Sequence, residues 1–330
     1  MVKKIIVTMS GRLGNQFFRA AFARKIQLKY GGEIILNFSE VLEKADEFPN
    51  AGWEDSLADF NFEYKSLNQA PQTTIRENLS RKQQLIFAAN HFLLKLFKTY
   101  ENVSYVNLPK ILQFYSRYLA KNGLYIFPYV TGTAPISTNQ AVIYLNACFE
   151  DAAYYDEILP TLQKEFTSNH DLLSSNQELF DKIQATNAVC LTIRRGDYLT
   201  ATNKSDFFQT DDNYFKAGIE KIKAEVENPV FFFFGDDLSY NEEFAKATLT
   251  ENDEYYLETP NNPLWEKVRL MSACKHFVIS NSTFSWWVQE LSNFPEKKVF
   301  GPSNWYPKGS KIKNNQLVQD FWLKRETDEK

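Results

Sequence analysis

At 330 residues the chain exceeds the roughly 250 to 300 residues at which a single hydrophobic core stops growing, so about two domains are expected. A 44% hydrophobic and 15% aromatic content supplies full cores, and a net charge of −4 offers no global basic field for nucleic acid. Three isolated cysteines (Cys148, Cys190, Cys274), no leader-like segment after Met1 and no apolar run of the roughly 18 residues that a membrane span requires together predict a cytoplasmic protein with buried free thiols.

Ile5 to Thr8 is expected as a strand, Ser10 to Gln16 as a glycine-containing turn, and Phe17 to Lys29 as a helix burying Phe18, Ala21, Phe22 and Ile26. Gly31-Gly32 ends that helix and Glu33 to Phe38 gives the next strand, a βαβ opening with a right-handed crossover. Gly11 and Gly14 stand three apart, so the GxGxxG dinucleotide pattern is absent. The turn reads either as a helix cap or as a set of donors, Arg12 and Asn15, aimed across a cleft. Residues 39 to 75 show no period. Between Arg76 and Lys121 eight basic residues meet two acidic ones, a net +6 in a chain whose remainder carries −10. Leu85, Ile86, Phe92, Leu93, Leu96 and Phe97 interleave with the lysines there. That pattern fits a core helix with a solvated face or a helix lying on a membrane surface.

Val142 to Leu145 is a further strand, Asp156 to Thr186 reads as helices, and a boundary after residue 182 gives domains 1–182 and 183–330. Beyond it strands and helices alternate: a strand over 188–193, a helix from Asp212 to Val226, a strand from Pro229 to Phe234, a helix from Asn241 to Thr248, a short strand from Tyr255 to Leu257, a helix from Pro263 to Cys274 and a strand from His276 to Ser280. Such alternation predicts a doubly wound parallel sheet.

Three loops at the carboxyl edge of that sheet carry chemistry. Ala188-Val-Cys-Leu-Thr-Ile193 is apolar without alternation, as strands buried on both faces are, and Arg194, Arg195, Gly196 and Asp197 follow it. Paired guanidiniums at a strand's carboxyl end suit a diphosphate; a solvated Arg-Arg turn is the plain alternative, and an adhesive Arg-Gly-Asp tip is disfavoured by the buried strand. Asp236 and Asp237 end the second strand. Ser280-Asn-Ser-Thr283 leads into a helix with an apolar stripe of Phe284, Trp287, Val288 and Leu291, where hydroxyls are ordinary caps or, beside the arginines, half of an anion site.

Gly11-Arg-Leu-Gly-Asn-Gln16, Ile193-Arg-Arg-Gly-Asp-Tyr198, Phe234-Gly-Asp-Asp237 and the run from Leu270 to Trp287 resemble the successive motifs of glycosyltransferase family 11, the α-1,2-fucosyltransferases. The resemblance implies an α/β, GT-B-like fold of two facing Rossmann-type domains with parallel sheets. The N-terminal one would be acceptor-side and carry the basic insertion; the C-terminal one would bind GDP-β-L-fucose. It implies inverting transfer of L-fucose to the 2-hydroxyl of a galactose in a glycan, free or lipid-linked. By position Arg194 would contact the donor diphosphate, Arg195 and Asp197 would shape its pocket, Ser282, Thr283 and Ser285 would lie by the phosphates, and Asn15 would face the reacting sugar. Asp236, Asp237 and Arg12 join the donor-side candidates. This chain has Thr192 where the family usually has His, a hydroxyl still able to bond the diphosphate, and Gly235 where it often has Ser.

With no Asp-x-Asp, no HExxH and no clustering of His91, His170 and His276, no metal ligand set is read and no metal or cofactor is expected. Arg194 and the helix start would then stabilise the leaving diphosphate. A carboxylate should serve as general base; Asp197 is committed to arginine, and Asp206 is a candidate. Two other readings remain: a non-catalytic nucleotide- or glycan-binding module, and a same-fold transferase with another donor or linkage.

Overall fold

Short apolar strands joined by helical crossovers pair in parallel, and the computed structural model of the chain contains two such sheets. The residues described are 3–49, 51–96, 108–126, 138–194, 210–306 and 316–324. They form two compact units, one of Met1–Ala58, Phe62–Ile158 and Lys311–Gln316, the other of Asp59–Asn61, Leu159–Ser310 and Leu317–Lys330. Both are Rossmann-type α/β units with parallel sheets, as expected.

Unit 1 runs β1 (Lys4–Thr8), α1 (Leu13–Tyr30), β2 (Glu33–Asn37), α2 (Ser39–Glu47), β3 (Lys65–Leu67), α3 (Pro71–Asn78), α4 (Arg81–Leu96), α5 (Lys110–Lys121), β4 (Leu124–Tyr125) and β5 (Val142–Leu145). Its sheet order is β3-β2-β1-β5-β4, every ladder parallel. The central position of β1 explains why Ile5, Ile6 and Val7 are buried without polar alternation. Helix α1 buries Phe17, Phe18, Ala21, Phe22 and Ile26, and Phe22 stacks on Phe149 with centroids 4.0 Å apart. It starts at Leu13, four residues before the expected helix, so Gly14, Asn15 and Gln16 form its first turn.

Unit 2 runs α6 (Leu159–Glu165), α7 (Gln177–Ala185), β6 (Asn187–Ile193), α8 (Asp212–Glu225), β7 (Pro229–Gly235), α9 (Leu238–Thr248), β8 (Tyr255–Leu257), α10 (Leu264–Ser272), β9 (His276–Ile279), α11 (Thr283–Leu291) and β10 (Val299–Phe300). The order is β10-β9-β6-β7-β8, again parallel throughout. One face of this sheet holds a cluster that includes Val189, Leu191, Tyr214, Ile219, Phe231, Phe233 and Val278.

The units divide after Ile158, earlier than the expected boundary at 182, because α6 and the segment before α7 are tied into unit 2. Gln163 donates to the Glu290 carbonyl at 2.9 Å, Phe166 packs edge-on to Trp287, and the fully buried Glu266 of α10 accepts from Leu173 N at 3.0 Å and Asn176 Nδ2 at 2.9 Å. Helix α11 also departs from a one-sided stripe. Trp286 is as buried as Trp287 and its indole donates to the Leu317 carbonyl at 2.9 Å, so this helix is covered on two sides. Cys190 and Cys274 are buried free thiols and Cys148 is half-buried. No helix among the described residues is long and apolar enough to cross a membrane.

Candidate functional site

In an open parallel sheet the crevice for a ligand lies at the carboxyl ends of the two strands where the winding direction reverses. In unit 2 those strands are β6 and β9. Their register pairs Thr192 with Ile279, so Arg194, the second residue beyond Thr192, and the Ser280–Ser282 turn leave the sheet side by side. Ser280 N donates to Thr192 Oγ1 at 3.0 Å, joining the two strand ends directly. Tyr214 OH, from α8, donates to the Ile279 carbonyl at 2.7 Å and fixes the end of β9 from beneath.

The turn then delivers the start of α11. Ser282 is its N-cap with extended backbone, yet its side chain makes no capping hydrogen bond. The backbone N–H groups of the first turn therefore keep the orientation and partial positive charge of a helix N-terminus. Ser285 Oγ lies 3.1 Å from Ser280 Oγ, fixing one hydroxyl of that turn. Arg194 is half-buried at the mouth, whereas Thr192 is 4% exposed. Thr192 ties β6 to β9 by accepting through its hydroxyl oxygen, and Ser282 and Ser285 are likewise buried.

The two aspartates after β7 divide. Asp237 caps α9, accepting from Tyr240 N at 3.0 Å, so its carboxylate serves the helix N-terminus; Asp236 is exposed. Arg195 and Asp197, together with Asp206, lie outside the described residues.

The sequence reading missed the clasp behind these loops. Gly235 N donates to Glu258 Oε1 at 2.9 Å, and Lys267 Nζ donates both to the Gly235 carbonyl at 3.1 Å and to Glu258 Oε1 at 3.0 Å. Glu258 is 3% exposed, and burial pushes its carboxyl upward against the pull of Lys267. Asn241 of α9 is 1% exposed, and neither polar atom of its amide has a hydrogen-bond partner among the described residues. No spacing rule links residues 235, 258 and 267; the pairing of β7 with β8 brings Glu258 near, and α10 delivers Lys267.

In unit 1 the reversal falls between β1 and β5. The buried Arg19 donates to the Thr8 carbonyl at the end of β1 and sits 3.5 Å from Asn146 Oδ1 just past β5, and Thr8 Oγ1 meets Tyr144 OH at 2.8 Å. Gly11 adopts φ +77°, and Asn15 Nδ2 sits 2.5 Å from the place a Cβ would take. Asn15 therefore lies folded back over Gly11. Gln16, its buried neighbour, holds the turn by donating to the Gly11 and Glu54 carbonyls and accepting from Ser56 N. Arg12 precedes the helix, half-buried.

Glu150, 7% exposed, is a further residue that no motif marks. Burial lifts its carboxyl from 4.5 to about 7, with Arg19 opposing. A carboxyl raised in the folded state binds its proton more tightly there than in the unfolded chain, so its contribution to stability falls as pH rises from 4.5 to 7. The displacement corresponds to about 3 kcal/mol. Glu150→Gln, which keeps the shape without the charge, is expected to leave stability nearly unchanged at about pH 4 and to raise it by up to about 3 kcal/mol at about pH 8 in urea unfolding. Asp151, lifted to about 6 by burial, titrates in both proteins and cancels from the difference. An equal effect at the two pH values would show that Glu150 is not the titrating group.

Comparison with known proteins follows this geometry. The model of the family described as Glycosyl transferase family 11 matches residues 4–322. The O-antigen biosynthesis glycosyltransferase WbnK of Escherichia coli is 27% identical over 328 residues, covering 96% of this chain and 98% of that protein. An alpha-1,2-colitosyltransferase of Escherichia coli is 30% identical over 162 residues, 48% of this chain and 54% of that protein. Among solved structures, the NodZ alpha-1,6-fucosyltransferase soaked with GDP-fucose aligns at 12% identity and a TM-score of 0.47 over 91% of this chain and 95% of that one.

Proposed function

The chain belongs to glycosyl transferase family 11 and is a fucosyltransferase-like glycosyltransferase, and from that premise we propose that it moves L-fucose from GDP-β-L-fucose to the 2-hydroxyl of a galactose in an O-antigen-type glycan, free or lipid-linked. The observation that carries this is the convergence of Arg194 and the α11 N-terminus at the reversal point of one parallel sheet. Both offer positive charge to a single anion.

In the proposed reaction the acceptor O2 attacks the anomeric carbon of fucose as the bond from that carbon to the β-phosphate oxygen breaks. The electron pair leaves with GDP, the hydroxyl proton passes to a carboxylate, and the anomeric configuration inverts. Negative charge grows on the diphosphate along this path, so donors fixed in advance at its position lower the barrier. Arg194 supplies a bidentate fork, and the hydroxyls and N–H groups of Ser282, Thr283 and Ser285 supply the opposite side. On unit 1, Arg12 is assigned to the donor side and Asn15 to the reacting sugar. No metal is required, because the arginine and the helix N-terminus supply the positive charge that a divalent cation would otherwise bring to the diphosphate.

The test is made in excess EDTA. GDP-fucose should raise the melting temperature while UDP-galactose does not, and a galactoside should then release GDP and yield a 1,2-linked product. Stabilisation by both nucleotide sugars alike would overturn the donor assignment. Loss of turnover in EDTA with rescue by Mn²⁺ would overturn the charge assignment, and stabilisation without GDP release would identify a binding module. Because the 30% identical relative is a colitosyltransferase, a colitosyl donor belongs in the panel, and faster turnover with it would reassign the sugar.

A further inference from the structure

The basic stretch ahead of β4 is absorbed by neither sheet edge. Its helices α4 and α5 rest on one cluster: Ile86 and Phe87 from α4, and Leu112, Tyr115 and Leu119 from α5, against Leu124 and Tyr144. Gln83 locks the start of α4 in place by donating to the Asn122 carbonyl at 3.0 Å and the Val142 carbonyl at 2.9 Å. The inner faces are thereby fixed.

The outer faces are apolar as well. Ile111 is 72% exposed, Phe114 68% and Tyr118 49% on α5, and Leu85 is 72% and Phe92 65% exposed on α4. Of the nine large apolar side chains exposed among the described residues, five lie on these two helices, so the exposure is concentrated rather than scattered. Spacing of i, i+3 and i+7 on α5, and of i and i+7 on α4, aligns each set into a stripe. At about 100° per residue, Lys110, Arg117 and Lys121 fall in the same third of the α5 circumference as Ile111, Phe114 and Tyr118, opposite the buried Leu112, Ser116 and Leu119. Arg81 and Lys82 stand beside Leu85 and Phe92 in the same way. Neither helix contains an acidic residue, and no ion pair involves Lys110, Arg117 or Lys121 among the described residues. Phe97 and Lys98, which belong to the same sequence pattern, lie outside the described residues.

We propose that the outer faces of α4 and α5 dock unit 1 on an anionic lipid bilayer, with Leu85, Phe92, Ile111, Phe114 and Tyr118 entering the interface and the lysines and arginines meeting the headgroups. Charge decides between occupants. A two-fold self-interface would set each copy's cations against identical cations, and a nucleic-acid phosphate backbone gives the aliphatic stripe nothing to enter. A bilayer with anionic headgroups satisfies both halves of the stripe at once. The proposal is independent of the donor chemistry.

Flotation of the full chain with vesicles of phosphatidylcholine, alone or mixed with phosphatidylglycerol, tests it. The wild type should float with the mixed vesicles, release as salt rises, and ignore the neutral ones. Each cation near such a surface contributes roughly fivefold, so Lys110→Glu/Arg117→Glu/Lys121→Glu should weaken partitioning by well over tenfold. Ile111→Ser/Phe114→Ser, at unchanged charge, should weaken it at least about tenfold because the interfacial insertion is lost. All five positions are solvent-facing, so melting temperature and GDP-fucose stabilisation should stay at wild-type values. Absent vesicle binding, or a serine variant that binds as wild type does, would overturn the proposal. So would a concentration-dependent dimer in sedimentation that the serine variant dissolves, since the face would then belong to a second copy.

Discussion

Arg194→Ala is expected to lower kcat by at least about two decades, roughly 3 kcal/mol of transition-state stabilisation, while leaving the fold intact. Two observations set this expectation. Arg194 leaves β6 at the strand's carboxyl end, level with the Ser280–Ser282 turn, and those strand ends are tied through Thr192 Oγ1 and Ser280 N. Removing the guanidinium takes positive charge from this end of the sheet while the Thr192–Ser280 tie remains. Arg194→Lys should recover little, because lysine restores the charge but not the planar fork that meets two phosphate oxygens at once. The measurement is turnover with GDP-fucose alongside thermal unfolding of each variant. An unfolded alanine variant would make Arg194 a structural residue, and a folded one with near-normal turnover would remove it from the mechanism.

Elements long enough to bury a periodic face were legible in the sequence. Helix α8, strands β6, β7 and β9, and the Ser280 turn fall where hydrophobic pattern and turn residues place them, because each element's burial is decided by its own residues. The edge strands β3, β4 and β10, of three, two and two residues, carry no period and exist only because a neighbour offers a ladder. Helix α2 escaped for a related reason: it buries only Ser39 and Val41, too few positions to print a stripe on residues 39 to 47. At the site, the sequence supplied Arg194 and the turn hydroxyls, since motif residues are consecutive. It could not supply Lys267, Glu258 or Asn241, which come to Gly235 from separate parts of the chain, nor Arg19, which holds the end of β1, nor Glu150, whose carboxyl Arg19 influences. The capping role of Asp237 was hidden because the apolar pattern starts that helix at Asn241, whereas it begins at Leu238.

Gly235 is the position where a single added carbon is expected to cost both stability and rate. A Cβ there would lie 2.5 Å from the Ile193 carbonyl oxygen and 2.9 Å from Asn241 Nδ2. The carbonyl belongs to the last residue of β6, so relief requires that strand end to move, and Arg194 is the next residue. Gly235 cannot retreat instead, because Glu258 and Lys267 hold its N–H and carbonyl from the far side. Overpacking of this kind costs about 1 to 3 kcal/mol, and displacement of a catalytic group by about 1 Å can cost on the order of 10²-fold in rate. Gly235→Ala should therefore melt earlier and turn over at least about tenfold more slowly, with the rate loss larger than the stability loss alone explains. Gly235→Ser, which restores the residue often found in the family, should do no better, since the collision is with the Cβ and not the hydroxyl. Asn241→Ala in the Gly235→Ala background removes the softer of the two obstacles and should recover only part of the loss, leaving a coupling free energy between the two positions. Full recovery would shift the obstruction from the Ile193 carbonyl to Asn241, and a Gly235→Ser variant as stable and active as the wild type would show that β6 and β7 do not approach this closely at their carboxyl ends.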